Sequence, residues 1–295
     1  MRFLLIGALS KLMDPIVTFI ASLIIGIVVG ILSGLLGIGG GTLLVPIFKL
    51  GYLMDSIACT ATSLFTIIPT SVSGAITHLR NKTCIPRLGV ITGIGGMITS
   101  PIGVWLATLS PGWMIMAAAA VIIFYSAYTM LKKACKLPKQ SKKAKQTAQA
   151  GKAPAVIVAD PIPKTPSLAK RQLVYGALIG LVAGLCSGYV GVGGGFIMVP
   201  LMISLLHIPM KLTSGTSLIA VMLLAIPGVI YQAILGNVNW IAGIAVALGS
   251  IPGAVLGAKL IPRVPERTLR FLFGGFLVFA GIVLMINELG ILSLI

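Results

Sequence analysis

Apolar residues run through this chain in blocks of about twenty, each closed by glycine, proline or a basic cluster. Blocks of that length suit helices that cross roughly 30 Å of hydrocarbon. In order, the pattern predicts helices over about Pro15–Leu36, Ile57–Leu79, Leu88–Thr108 and Trp113–Leu131. It then predicts Gln172–Val190, Leu212–Leu235, Trp240–Leu260 and Leu269–Leu289. Two shorter apolar segments interrupt the series. One follows the glycines Gly37–Gly41, contains Pro46 and reaches about Met54; the other covers about Gly194–Leu206. The pattern leaves open whether the first begins at the glycines or near Val45, since proline suits a first helical turn and kinks an interior. Only Lys132–Arg171 is polar for long. It is rich in Lys, Ala, Gln and Pro, and cannot bury enough apolar surface to fold by itself. The expected fold class is an all-α polytopic membrane protein.

The pattern is written twice. Ser33–Phe48 reads SGLLGIGGGTLLVPIF and Ser187–Met202 reads SGYVGVGGGFIMVPLM, with an offset of 154 and eight of sixteen positions identical. The offset persists downstream, where Ala61-Thr-Ser-Leu64 matches Gly215-Thr-Ser-Leu218 and Gly74 matches Gly228. Beyond the basic loop Arg80–Arg87 it becomes 150, pairing Ser100, Gly103 and Leu106 with Ser250, Gly253 and Leu256. An indel confined to a loop is what a repeat tolerates. The expected organisation is an N-terminal membrane repeat (1–131), a basic cytoplasmic linker (132–171) and a C-terminal membrane repeat (172–295), each repeat having five apolar elements. Gly26, Gly30 and Gly34, echoed by Gly180, Gly184 and Gly188, fall four apart on one helical face. That spacing favours close helix packing in lipid.

Composition sharpens this picture. Hydrophobic residues make up 57% and charged residues 9%, which leaves no room for a soluble domain. The net charge of +17 raises the question of nucleic acid, but half of the 22 basic residues lie between Lys132 and Arg171 and most others in short loops. This is the positive-inside distribution of an integral protein. With five crossings per half and the N-terminus outside, the loop Arg80–Arg87, the linker, Lys211 and the loop Lys259–Arg270 all lie inside. With four crossings per half, the loop carrying Lys259, Arg263, Arg267 and Arg270 moves outside, against the rule. The halves are therefore expected to be inverted, in a multi-pass protein of the cell membrane with the linker cytoplasmic and both termini outside. The first apolar run is read as a retained span, not a signal peptide. Cys59, Cys84, Cys135 and Cys186 form no CxxC pair.

The chemistry is expected at the doubled glycine cluster. Consecutive glycines break a helix, and in a bilayer the freed backbone groups survive only where protein or a watery cavity covers them. Transporters build substrate sites from such breaks. The amides of Gly39, Gly40 and Gly41, and of Gly193, Gly194 and Gly195, lie where the following helices begin. The positive end of the helix dipole favours an anion there. Thr42, Thr62, Ser63, Thr216 and Ser217 add hydroxyls, with bonding to their own helix carbonyls as the competing reading. The acids Asp14, Asp55, Asp160, Glu266 and Glu288 all fall outside the middle of the spans, which argues against a buried coupling carboxylate. His78 and His207, at span ends, suit no clustered metal site, and His78 reads as an interfacial residue. GIGGG lacks the strand–turn–helix context and ribose-binding acid of a dinucleotide loop.

The doubled GxGGG…VP motif, with a basic loop between apolar halves, resembles the TauE/SafE sulfite-exporter family of membrane permeases over roughly Ile16–Leu289. The resemblance implies transport of a small sulfur-containing anion such as sulfite or an organosulfonate. A secondary carrier is the leading expectation, with an anion-selective channel as the alternative. An enzyme is not expected, since no nucleophile motif or His/carboxylate cluster is present. No cofactor is expected. The expected partners are a small anionic substrate and the lipid bilayer, with a homo-oligomer left open and nucleic acid excluded.

Overall fold

The computed structural model describes residues 15–136 and 170–288. Among them the regular structure is helical. The first half contains α1 (Pro15–Leu36), α2 (Gly41–Gly51), α3 (Ser56–Arg80), α4 (Pro86–Leu109) and α5 (Gly112–Lys136). The second contains α6 (Lys170–Val190), α7 (Gly195–Leu205), α8 (Met210–Ile234), α9 (Trp240–Leu260), a 3-10 turn at Ile261–Arg263 and α10 (Glu266–Glu288). Seven of these helices, α1, α3–α6, α8 and α9, are long and apolar enough to cross a membrane. Large apolar residues on their outer faces are bare, such as Ile98, Val121 and Ile241, as lipid-facing positions should be. α5 runs to Lys136 and α6 starts at Lys170, so both ends of the expected linker are helical and only 137–169 lies outside the described residues. Lys132 stacks over the Tyr128 ring and Lys133 bonds Ser204 of α7, which carries α5 past its apolar block.

The glycine ladders set the packing. Gly26, Gly30 and Gly34 of α1 press on Val246, Ser250 and Ala254 of α9, while Gly249, Gly253 and Gly257 press back on Leu23, Ile27 and Ile31. Gly180, Gly184 and Gly188 of α6 do the same against Thr92, Gly96 and Ser100 of α4. Packing is thus the role these six glycines fill: a Cβ on Gly180 would stand 2.0 Å from the Thr92 carbonyl oxygen. Each half therefore lends its first helix to the fourth helix of the other half.

The same contacts fix direction. Numbers rise together along α1 and α9, and along α4 and α6, so each pair is parallel. α3 is parallel to α9, with Thr70 Oγ1 2.5 Å from Ser250 Oγ, Ser73 donating to the Ile251 carbonyl and Asn81 to the Ala258 carbonyl. α8 is parallel to α4, with Gly89 against Ile219, Gly93 against Leu223 and Gly96 against Leu224. α3 and α8 cross in opposite senses, since Leu64 meets Gly228 while His78 meets Gly215. α1, α3 and α9 therefore run one way and α4, α6 and α8 the other.

Because α1 and α3 are parallel, the chain between them must return. α2 makes that return: Gly40 lies beside Val29 and Ser33, and the Tyr52 hydroxyl reaches Ser22. Eleven residues of helix span only about 16 Å, so residues 52–55 complete the distance. Leu53 has φ 53° and its repeat mate His207 has φ 54°, so each short helix is followed, two residues on, by a left-handed residue.

Candidate functional site

Both helix breaks have one backbone design. α1 stops at Leu36, and Gly37, Gly39 and Gly40 take φ of 76°, 84° and 89° before α2 begins at Gly41. α6 stops at Val190, and Gly191, Gly193 and Gly194 take 74°, 87° and 68° before α7 begins at Gly195. L-residues with side chains rarely adopt these angles, so glycine is required. Gly41 and Gly195 are needed for space: a Cβ on Gly41 would lie 2.4 Å from the Val192 carbonyl oxygen, and one on Gly195 2.6 Å from that of Gly37. The two breaks thus touch each other. Around them Ile38, Leu44, Phe48, Ile67, Val192, Phe196, Val221 and Leu224 are fully buried.

At the first break, Leu43 and Leu44 both donate to the Gly40 carbonyl at 3.2 Å. No hydrogen bond among the described residues is donated by the amides of Gly39, Gly40, Gly41 or Thr42. Beside them lies a narrow crevice between α1, α2 and α10, with Val29, Ile38 and Phe276 on its apolar side. Ser33, Gly40 and Thr42 form its polar side. The hydroxyls of Ser33 and Thr42 are buried and have no hydrogen-bond partner, nor does that of Ser71, whose oxygen would lie 3.5 Å from a Cβ on Gly39. Buried polar groups normally find partners; here three unpartnered hydroxyls stand beside bare amides at a helix N-terminus. The crevice is too narrow for a water molecule in this conformation. A guest therefore needs α2 to move relative to α1 and α10.

The second break is not equivalent. Phe196 stands where the first has Thr42 and is fully buried. Gly195 N donates to the Gly193 carbonyl at 2.8 Å, and Ile197 and Met198 donate to that of Gly194. Ser187, the mate of Ser33, is again unpartnered. Ala225 replaces Ser71. The second break therefore has the same backbone and a drier lining.

The four candidate hydroxyls after the breaks divide in the same way. Thr62 Oγ1 accepts from the Asn239 amide at 3.0 Å, and Thr216 Oγ1 accepts from the Ile85 amide at 2.9 Å. Asn239 and Ile85 are the residues before α9 and α4, so these threonines bind the helix starts of the opposite half. Thr216 also donates to the Leu212 carbonyl. Ser217 Oγ lies 2.7 Å from the Gly37 carbonyl oxygen and 2.9 Å from that of Ser214, so its one proton is shared between the first break and its own helix. Ser63, its repeat mate, is buried without a partner. His78 is not interfacial but fully buried. Its Nε2 donates to the Gly34 carbonyl at 2.8 Å, leaving Nδ1 to accept from Thr83 at 2.7 Å in the neutral ring. Sequence reasoning missed Ser33, Ser71 and Phe276. Ser33 opens the repeated motif, but only the fold shows its hydroxyl unpaired.

Among the described residues, no carboxylate is buried. Asp55 precedes α3 and Glu266 begins α10, so neither approaches the breaks. The first break is an uncharged donor site: it can hold an anion through amides and hydroxyls, in the dipole field of α2.

The chain resembles known proteins over most of its length. Residues 22–284 match the family model described as Sulfite exporter TauE/SafE. The chain is 28% identical to the Probable membrane transporter protein YunE of Bacillus subtilis (strain 168) over 84% of its own length and 90% of that protein. It is 27% identical to the Probable membrane transporter protein YdhB of the same organism, over 80% and 87%. It is 26% identical to the Probable membrane transporter protein YjnA, over 85% and 93%. No solved structure matches.

Proposed function

The chain belongs to the TauE/SafE sulfite-exporter family of membrane transporters, and from that premise we propose that it is a secondary carrier for a small sulfur-containing anion such as sulfite or an organosulfonate. The carrying observation is the crevice at the start of α2, where Ser33 and Thr42 present unpartnered hydroxyls beside the free amides of Gly40 and Gly41. A sulfite or sulfonate group is a compact oxyanion whose oxygens accept hydrogen bonds. Neutral donors hold it without the strong trapping that a buried cation would bring. The apolar side formed by Val29, Ile38 and Phe276 can cover a sulfur lone pair or a short organic substituent.

The opposed directions of corresponding helices support an inverted pair of halves. In this reading the break segments rock against a frame of α3, α4, α8 and α9. Gly37, Gly39 and Gly40 carry the backbone change and expose the crevice to one side at a time. Phe196 makes the second break a counterweight that moves without binding. The membrane is the cell membrane, with 137–169 on the cytoplasmic side.

The test is uptake into proteoliposomes with sulfite, sulfate, thiosulfate, taurine and sulfoacetate. A carrier gives saturable uptake and counterflow of at least one of these. Single-channel current without counterflow would replace it with the channel reading. Transport of none of the five would remove sulfur anions from the proposal.

A further inference from the structure

A second cavity lies away from the breaks, where α5 and α7 end and α10 begins. It has a volume of about 380 Å³ and opens to the surface. Lys133 of α5, Ser204 of α7, His207 of the following loop, and Glu266 and Arg270 of α10 supply its polar lining. Lys133 sits in the last turn of α5, just before residues 137–169, so the cavity is on the linker side. The family transport reading makes no use of it.

The charges in this cavity are unbalanced. Among the described residues Lys133 and Arg270 face one acid, Glu266, whose Oε1 accepts from Arg270 Nη2 at 2.5 Å and from the Met210 amide at 3.3 Å. Arg270 Nε is buried and has no partner. Lys133 donates to Ser204 Oγ, whose own proton goes to the Pro200 carbonyl at 2.6 Å. An ammonium keeps two further donors after that bond. One cation repels the other across a half-buried cavity, and an anion between them removes that cost.

We propose that this cavity binds an organic phosphate, either the phosphate of a lipid headgroup or a soluble phosphate ester. Arginine's planar fork and lysine's point charge suit a tetrahedral oxyanion approached from two sides. The volume is that of a small-ligand site and exceeds what a bare oxyanion fills. The spare room lies against Ile203, Ile208 and Pro209, which suits a short carbon chain rather than a second charged group. Binding there ties α5, α7 and α10 together at the end of α7 opposite its glycine break. Occupancy would therefore bias how freely the second break moves.

The test uses the full chain in nanodiscs, reading thermal stability. In phosphatidylcholine discs, sn-glycerol 3-phosphate should stabilise the protein saturably. Lys133→Gln and Arg270→Gln should each raise the half-saturating concentration by roughly tenfold or more, the loss of a hydrogen bond to a charged group. Thr42→Val, at the first break, should leave it unchanged. If the lipid is the source, phosphatidylglycerol discs should stabilise the wild type over phosphatidylcholine discs, and Lys133→Gln should abolish that difference. Lys133→Gln carries the test if Arg270→Gln releases Glu266 and misfolds. Absence of any Lys133-dependent stabilisation, by soluble ester or by lipid, would overturn the proposal.

Discussion

Thr62 and Thr216 offered the same signal in the sequence as Thr42, a hydroxyl near a glycine break, and the fold gives them a different task. Each accepts from the amide of the residue just before a helix of the other half. Their contacts lie 177 and 131 residues away, distances that no local pattern encodes. Thr216→Val should lower stability by about 1–3 kcal/mol, because the buried Ile85 amide loses its acceptor, and Thr62→Val should cost less, because Asn239 is exposed and its amide can turn to solvent. Anion affinity should stay the same, and a detergent melting curve beside a binding titration checks both. The glycines separate the two breaks. Gly40→Ala puts a methyl at φ 89° and 2.9 Å from Val29 Cγ1, so it costs about 1–2 kcal/mol in backbone alone and narrows the crevice. Gly194→Ala meets similar backbone strain at φ 68° with looser surroundings, the Ala183 carbonyl being 3.1 Å away. Both should destabilise, but only Gly40→Ala should weaken anion binding. Equal effects on affinity would show that the two breaks share the ligand. The need for these glycines was legible in the sequence as repetition. The difference between Thr42 and Phe196 was also printed there, but its meaning depends on which hydroxyls the fold leaves unpaired.

At the scale of helices, the chain relies on backbones brought together by glycine. In lipid no hydrophobic gain comes from joining two apolar helices, so close packing and weak Cα–H···O contacts must hold them. Gly30→Ala would place a Cβ 2.3 Å from the Ser250 carbonyl oxygen, and Gly184→Ala one 2.2 Å from that of Gly96. Separating the helices or bending them to fit should cost about 1–3 kcal/mol or more. The amount of monodisperse protein on size exclusion should fall for both, more than for Gly275→Ala on α10, where nothing lies within 4 Å. Helix limits were legible from apolar blocks to within a few residues at most ends. The exceptions are instructive. α5 continues through Lys132 to Lys136 because one lysine stacks on Tyr128 and another reaches Ser204. His78 reads as an interfacial residue from its position near a span end, yet it is fully buried with its ring against the Gly34 carbonyl of α1. Both depend on a neighbour that the sequence places far away.

For the whole molecule, loop charge predicts inversion, and the parallel pairs α1 with α9 and α6 with α4, joined by the antiparallel crossing of α3 and α8, set corresponding helices in opposite directions. Reporter fusions should read cytoplasmic within 137–169 and external at both termini; a cytoplasmic C-terminus with a cytoplasmic linker would contradict ten traverses. Replacing 137–169 by a flexible tether, while keeping Lys133 and Lys170 in their helices, should preserve transport in correctly inserted protein. The anion is expected to bind at the first break, at the start of α2. The most direct measurement is counterflow of the anion selected by the proteoliposome panel, through wild-type and Thr42→Val protein, beside their melting temperatures without anion. Valine keeps the shape of Thr42 and removes a buried hydroxyl that has no hydrogen-bond partner. The anion-free variant should therefore be at least as stable as the wild type, by up to about 1–3 kcal/mol, while its half-saturating concentration rises roughly tenfold. Unchanged counterflow in Thr42→Val protein, or loss of transport explained by a lower melting temperature, would contradict an anion site at the start of α2.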